Sequence, residues 1–96
     1  MVNATKLLAT ADEIARLTIE KGEAYGDSLV RSGDVMRMFF PNGIRPDQYI
    51  DALAMVRVID KLFRIATKKR AFGENPWRDI NGYSLRMSTM EDGEDV

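Results

Sequence analysis

The chain has 96 residues, of which 45% are hydrophobic, and it carries a formal net charge of −1 with neither cysteine nor histidine. This length suits one small domain whose single core is only just sufficient, so oligomerisation would help. The missing residue types exclude disulfides, thiolate metal sites and histidine-based acid–base catalysis. Any chemistry must therefore use carboxylates, Lys, Arg, Tyr or Ser, and a bound metal would be an oxygen-liking ion such as Mg²⁺ or Mn²⁺.

The distribution of charge and apolar residues bears on the partners. No apolar segment approaches the length of a bilayer span, and the N-terminus has no basic region followed by a long apolar run. We therefore expect a cytoplasmic protein with no membrane partner. Cations crowd residues 57–70, but the net charge is close to zero, which argues against nucleic acid as a partner.

The first quarter of the chain predicts an amphipathic helix. Apolar residues recur every three or four positions up to about Ala24. The start of the helix is open, because Asn3, Thr5 and Thr10 can each cap it. Gly26 is expected to take a left-handed conformation just beyond the end.

Glu20 and Glu23 lie near the end of this helix, three residues apart and hence on one face. Two interpretations are open. The pair is either two solvated carboxylates, which is the ordinary state of glutamate, or one half of a metal site.

A second, short helix is predicted to begin at Ser32 and to end at the turn residues 41–43. Its inward-facing residues are expected to be Val35, Met38 and Phe39.

The longest helix is predicted to begin around Pro46, in its first turn, and to run to about Lys69. One apolar stripe follows the helical repeat along it. The stripe consists of Tyr49, Leu53, Val56, Phe63 and Ala66.

Asp60 falls within that stripe, where an apolar residue would be expected. A buried carboxylate costs several kcal/mol unless it is paired or bound to a metal, so Asp60 requires a partner. Arg57 and Arg64, one helical turn away on either side, are the structural candidates. Together with Lys61 and Lys68 they form a basic ridge, either a solvated face or a phosphate-binding surface beside the carboxylate.

Residues 68–75 are predicted to form a loop, and Asn75 followed by Pro76 predicts the start of another helix. Trp77 in its first turn is either a core residue or a platform on which a base stacks. Asp79 and Tyr83, four apart, share another side of this helix. Residues 88–96 are predicted to be an acidic tail without fixed structure.

These elements predict an all-α fold, a small bundle of about four helices in a single domain of residues 1–87. If the helices pack antiparallel, the carboxylates of the first, third and fourth helices can converge and bind Mg²⁺. The predicted catalytic and metal-binding residues are Glu20, Glu23, Asp60 and Asp79. The predicted ligand-binding residues are Tyr25, Lys61, Arg64, Lys68, Trp77 and Tyr83.

Three blocks of residues follow one another in a characteristic order: Lys21–Asp27 (KGEAYGD), Ile59–Arg64 (IDKLFR) and Asp79–Tyr83 (DINGY). The set resembles a group of small, largely uncharacterised phage and prophage proteins, some of which are labelled nucleotide-modification-associated domains. More distantly, the chain is similar to the all-α nucleotide pyrophosphohydrolases of the MazG type. That resemblance implies a helical oligomer in which acidic pairs hold Mg²⁺ and a (deoxy)nucleoside triphosphate is cleaved to monophosphate and pyrophosphate. It also implies a host-cell cytoplasmic location for a phage-encoded protein.

The match to the MazG pattern is partial. Glu20 and Glu23 match the ExxE pair of that family, whereas no ExxD pair follows, because Arg57 and Pro76 stand three residues before Asp60 and Asp79.

Three functional hypotheses follow. The first is a nucleotide-binding protein, in its enzymatic form an Mg²⁺-dependent pyrophosphohydrolase. The second is a non-catalytic phage accessory protein that sequesters a nucleotide or a nucleotide signal. The third is a structural module that forms a homo-oligomer, with Asp60 in an ion pair at the interface.

Overall fold

The computed structural model describes the backbone of residues 2–91 and the side chains of residues 2–90. Two short 3-10 helices, Pro46–Gln48 and Ala71–Gly73, precede the third and fourth α-helices. No described residue lies in a strand, which confirms the predicted small all-α bundle. The α-helices are α1 (Ala4–Ala24), α2 (Ser28–Phe39), α3 (Tyr49–Lys68) and α4 (Pro76–Glu91).

Helix α1 begins and ends at residues that carry local signals. The Asn3 side chain accepts a hydrogen bond from the Lys6 backbone N–H at 3.0 Å, so Asn3 is the cap and the alternative start at Thr10 lies inside the helix. Gly26 has φ of 63°, as predicted. A Cβ atom at Gly26 would lie 2.6 Å from Thr67 Oγ1, so glycine also permits the end of α1 to approach α3.

Helix α2 begins at Ser28, four residues before the predicted start at Ser32. The residue before it, Asp27, is of a type that often caps helices, but it has φ of 58° and its side chain makes no capping hydrogen bond. Met38 is 81% exposed, so the prediction that it faces inward was wrong, whereas Val35 and Phe39 lie beside α3 although Phe39 is still 61% exposed. Helical periodicity identifies an apolar face on α2, but no element in the described part of the chain packs over the end of that face.

Helix α3 is central: it packs most extensively against α4 and α2, and less against α1. Its buried residues are Ala52, Ile59 and Arg64. The predicted stripe is corrected at its start, since Tyr49 and Leu53 are both exposed. Further along the stripe, Val56 and Phe63 are half-buried and Ala66 is exposed.

Helix α4 begins as predicted at Pro76, and the Asn75 side chain accepts the backbone N–H of Trp77 at 3.1 Å. The helix continues to Glu91, so the predicted tail begins no earlier than residue 92. Residues 92–96 lie outside the described range. None of the described helices combines the length and the apolarity that crossing a membrane requires.

The hydrophobic core of the single chain is thin. Among the described residues, the buried hydrophobic side chains are Ala24, Ala52 and Ile59. The radius of gyration is 17.2 Å, against about 12.5 Å for a compact domain of this length. Helices α2, α3 and α4 therefore surround an open apolar groove rather than a closed core.

Candidate functional site

Charged and aromatic side chains from distant parts of the sequence meet where the end of α1, the C-terminal half of α3 and the first turns of α4 come together. We call this group the Lys61 cluster. It contains five of the ten predicted site residues and one residue that was not predicted. Its members are Tyr25, Lys61, Arg64, Glu74, Asp79 and Tyr83.

Lys61 is at the centre of the cluster, and its side chain is only 14% exposed. Its ammonium nitrogen lies 3.2 Å from Asp79 Oδ2 and 3.8 Å from Glu74 Oε2. Burial by itself would lower the pKa of Lys61, but the hydrogen bond with Asp79 and the charges of Tyr25, Asp79 and Tyr83 together raise it above the ordinary value of 10.5. Lys61 is therefore a cation at every physiological pH.

Arg64, one turn further along α3, is fully buried. Its Nη1 donates to Glu74 Oε2 at 2.6 Å. Its Nη2 donates to the backbone carbonyls of Ala71 at 2.7 Å, Glu74 at 2.9 Å and Lys69 at 3.4 Å. The planar guanidinium thus holds the connection between α3 and α4 in place, a role that lysine could not fill. Its Nε is buried with no hydrogen-bond partner.

Two tyrosine rings lie against the cations of α3. The ring of Tyr25 is centred 5.8 Å from both Lys61 Nζ and Arg64 Cζ. The ring of Tyr83 is centred 5.9 Å from Arg57 Cζ. These distances are at the outer limit of cation–π attraction. The tyrosines therefore contribute aromatic surface at the cluster more than they contribute strong binding of the cations.

Asp60 does not pair with either arginine that the sequence suggested as its partner. Its Oδ1 accepts a hydrogen bond from Ser32 Oγ at 3.3 Å, which joins α3 to α2. Neither predicted arginine is its partner: Arg57 lies over Tyr83, and Arg64 is occupied by Glu74 and the loop carbonyls. The physical reason is that the loop offers Arg64 several acceptors at once, whereas Asp60 offers one carboxylate on the same helix.

The four predicted metal-binding carboxylates do not form a preassembled site within residues 2–90. No group of three or more acidic side chains in that range is placed to hold a metal ion. Glu20 and Glu23 are exposed on α1. The predicted convergence of all four carboxylates is therefore not found in the single chain, and Mg²⁺ binding stays a prediction.

The remaining predicted ligand-binding residues are at the surface. Lys68 is exposed at the end of α3, and Trp77 is 51% exposed in the first turn of α4. The core interpretation of Trp77 is thus not observed.

Two residues of the polar network were missed by sequence reasoning. Glu74 pairs with both Lys61 and Arg64, and Ser32 pairs with Asp60. Glu74 stands just before the Asn75 cap, and the short connection from α3 keeps it close to the end of that helix. Its position in the sequence could therefore have suggested a partner among the cations of α3. Ser32 is 28 residues from Asp60 and no local pattern connects them.

The charges of the Lys61 cluster balance, since two cations face two carboxylates. The side chains of Glu74 and Asp79 are 49% and 38% exposed, so solvent reaches both carboxylates while the arginine behind them is sealed. The cluster can therefore present carboxylate oxygens, one ammonium group and a tyrosine ring to a ligand while Arg64 keeps the connection between α3 and α4 in place.

Comparison with family models, with curated proteins and with solved structures found no match to this chain. The resemblance to nucleotide-modification-associated phage proteins and to the MazG type accordingly stays a prediction from the three blocks of residues.

Proposed function

We propose that the Lys61 cluster binds a phosphate-bearing small molecule, a nucleotide in the first instance. The observation that carries the proposal is the convergence of side chains from residues 25, 61–64 and 79–83 around one nearly buried lysine. A buried titratable group whose pKa is shifted by named charge partners is typical of functional sites.

Mg²⁺ would enter this site together with the ligand. Proteins commonly hold Mg²⁺ through one or two carboxylates, and the phosphates of the substrate and water complete the octahedron. Asp79 and Glu74 are the solvent-accessible carboxylates of the cluster. A third protein carboxylate is not required for this mode of binding, so the proposal is compatible with the open arrangement of the acidic residues.

The protein side chains have separate roles in the proposed complex. Lys61 would turn from Asp79 toward a phosphate oxygen as Mg²⁺ takes the carboxylate, so the charges remain balanced. Tyr25 and Tyr83 would contact the base. In the enzymatic form, the metal would polarise the phosphoryl group and lower the pKa of a bound water.

Calorimetric titration of the protein with a panel of nucleoside mono-, di- and triphosphates in the presence of Mg²⁺ tests the proposal. We expect heat of binding for at least one nucleotide and a clear loss of affinity in Asp79→Asn. The matched control is Asp34→Asn, which removes an exposed carboxylate paired with Arg37 on α2. Absence of heat across the panel, or an equal loss in both variants, would contradict the proposal.

A second candidate is sequestration of the nucleotide without turnover. It is favoured by the lack of a group of three acidic side chains within the described residues, because hydrolysis generally needs a firmly held metal. Binding that survives EDTA, with the nucleotide recovered intact after prolonged incubation with Mg²⁺, is the expected result for sequestration. Appearance of pyrophosphate would instead establish the enzyme.

A further inference from the structure

The single chain exposes far more surface than a compact protein of its mass. Its accessible surface is 7649 Å², whereas a folded monomer of 10.9 kDa is expected to expose about 5,600 Å². The whole chain contributes to this area, so the difference of roughly 2,000 Å² is an upper value for what a partner could cover. An excess of this size on each of two chains is in the range that obligate homodimers bury.

Part of this surface is the apolar side of α1. Every residue from 4 to 23 is exposed, and this part of the helix is about 30 Å long at 1.5 Å per residue. The helix is nevertheless amphipathic, and its apolar side chains cover about half of its circumference. The large exposed members of that face are Leu7, Leu8, Ile14, Leu17 and Ile19.

The second unpartnered surface is the apolar groove between α2, α3 and α4. It has a volume of about 820 Å³ and is lined mainly by aliphatic, aromatic and methionine side chains. It is open to solvent although a hydrophobic groove of this size is costly to leave hydrated. Representative lining residues are Val35, Phe39, Met55, Leu62, Phe63 and Met87.

We infer that the chain forms a homodimer in which α1 of each copy lies in the apolar groove of the other. One chain carries both a projecting apolar helix and an apolar groove, and reciprocal exchange covers both surfaces with a single two-fold operation. Methionine and leucine side chains in the groove suit a helix, since they adapt to the ridges of its surface. The thin core of the single chain then becomes the shared core of two chains.

The oligomeric state and one designed substitution test this inference. Light scattering after size exclusion should give twice the chain mass for the natural protein at micromolar concentration. Leu17→Asp should shift the population to monomer, because it places a charge in the buried interface. Leu85→Asp is the control and should stay dimeric, since Leu85 is a leucine of α4 that is 65% exposed, against 47% for Leu17, and does not line the groove.

Cross-linking between copies tests the arrangement even if Leu17→Asp fails to fold. The chain has no cysteine, so proteins carrying Ile14→Cys and Met55→Cys can be prepared separately and mixed. A short bis-maleimide should join the two variants, whereas Ile14→Cys mixed with Leu85→Cys should not be joined. A monomeric natural protein would overturn the inference, and so would a dimer that cross-links only through Ile14→Cys to itself.

Discussion

The two sides of α3 differ in which side chains they bury: one side buries charged residues, and the other leaves apolar residues exposed. Toward the Lys61 cluster, a lysine and an arginine are nearly or fully buried, and each meets its partners within one chain. Toward the apolar groove, Leu62, the very next residue after Lys61, is 45% exposed. This inverts the usual distribution of polar and apolar side chains. Polar groups need directional partners that a loop can supply locally, whereas covering an apolar face needs area that the helices of a single chain do not provide.

Among substitutions in the Lys61 cluster, Arg64→Ala should cause the largest loss in the free energy of unfolding. The substitution removes a buried guanidinium and leaves the carbonyls of Ala71 and Glu74 without their donor. Because hydrogen bonds to charged groups contribute about 1.5–3 kcal/mol each, we expect a loss of about 3 kcal/mol in the free energy of unfolding. Urea denaturation at fixed protein concentration measures it.

Arg64→Lys sharpens the same comparison, since it keeps the charge but not the planar fork, and an intermediate loss is expected. A change in Arg64→Ala no larger than that of an ordinary surface substitution, about 0.5 kcal/mol, would show that the loop does not depend on the guanidinium.

The second-largest effect should be a loss of stability at alkaline pH, when Lys61 loses its proton. Because the folded chain raises the pKa of Lys61, the contact with Asp79 contributes fully below the ordinary value of 10.5 and is lost as the pH rises through the folded value. Thermal melts from pH 9 to above 11 should therefore show a decline in stability, on the order of 1 kcal/mol for a partly exposed pair.

Lys61→Met separates this decline from other alkaline effects such as the ionisation of tyrosines. The variant should be less stable than the natural protein at neutral pH, and the difference should shrink at alkaline pH. A constant difference across the range would remove the Lys61–Asp79 contact as its cause.

The smallest effect is expected for Ser32→Ala. The hydrogen bond from Ser32 to Asp60 is 3.3 Å long, so its loss should cost no more than about 1 kcal/mol. Combining it with Asp60→Asn in a double-mutant cycle measures the coupling between α2 and α3. Ser88→Ala, at an exposed position of α4, is the control. Strict additivity of the two substitutions would mean that the pair does not contribute to stability.

The elements that could be predicted from sequence depend on local chemistry. Asn75 and Pro76 fix the start of α4, and Gly26 marks the end of α1, because caps and left-handed residues act within one turn of chain. The early start of α2 could not be predicted, since Asp27 precedes it in a left-handed conformation without a capping hydrogen bond.

The candidate site divides in the same way. Lys61, Asp79 and Tyr83 could be singled out because charge and helical spacing are visible in the sequence. The partner of Asp60 could not, because Ser32 is distant in the chain and Arg64 had stronger acceptors in the loop. Burial of Met38 was predicted wrongly because periodicity does not reveal whether a neighbour covers a face.

The central claim is that a phosphate-bearing ligand binds at the Lys61 cluster, and NMR titration of the isotope-labelled protein with Mg²⁺ and the nucleotide that calorimetry identifies tests it most directly. We predict that the largest chemical-shift changes occur at Tyr25, Lys61 and Asp79, none of which lines the apolar groove, and saturate together. Changes that concentrate at groove residues such as Phe39 and Met55 instead, or no change at saturating nucleotide, would contradict the account.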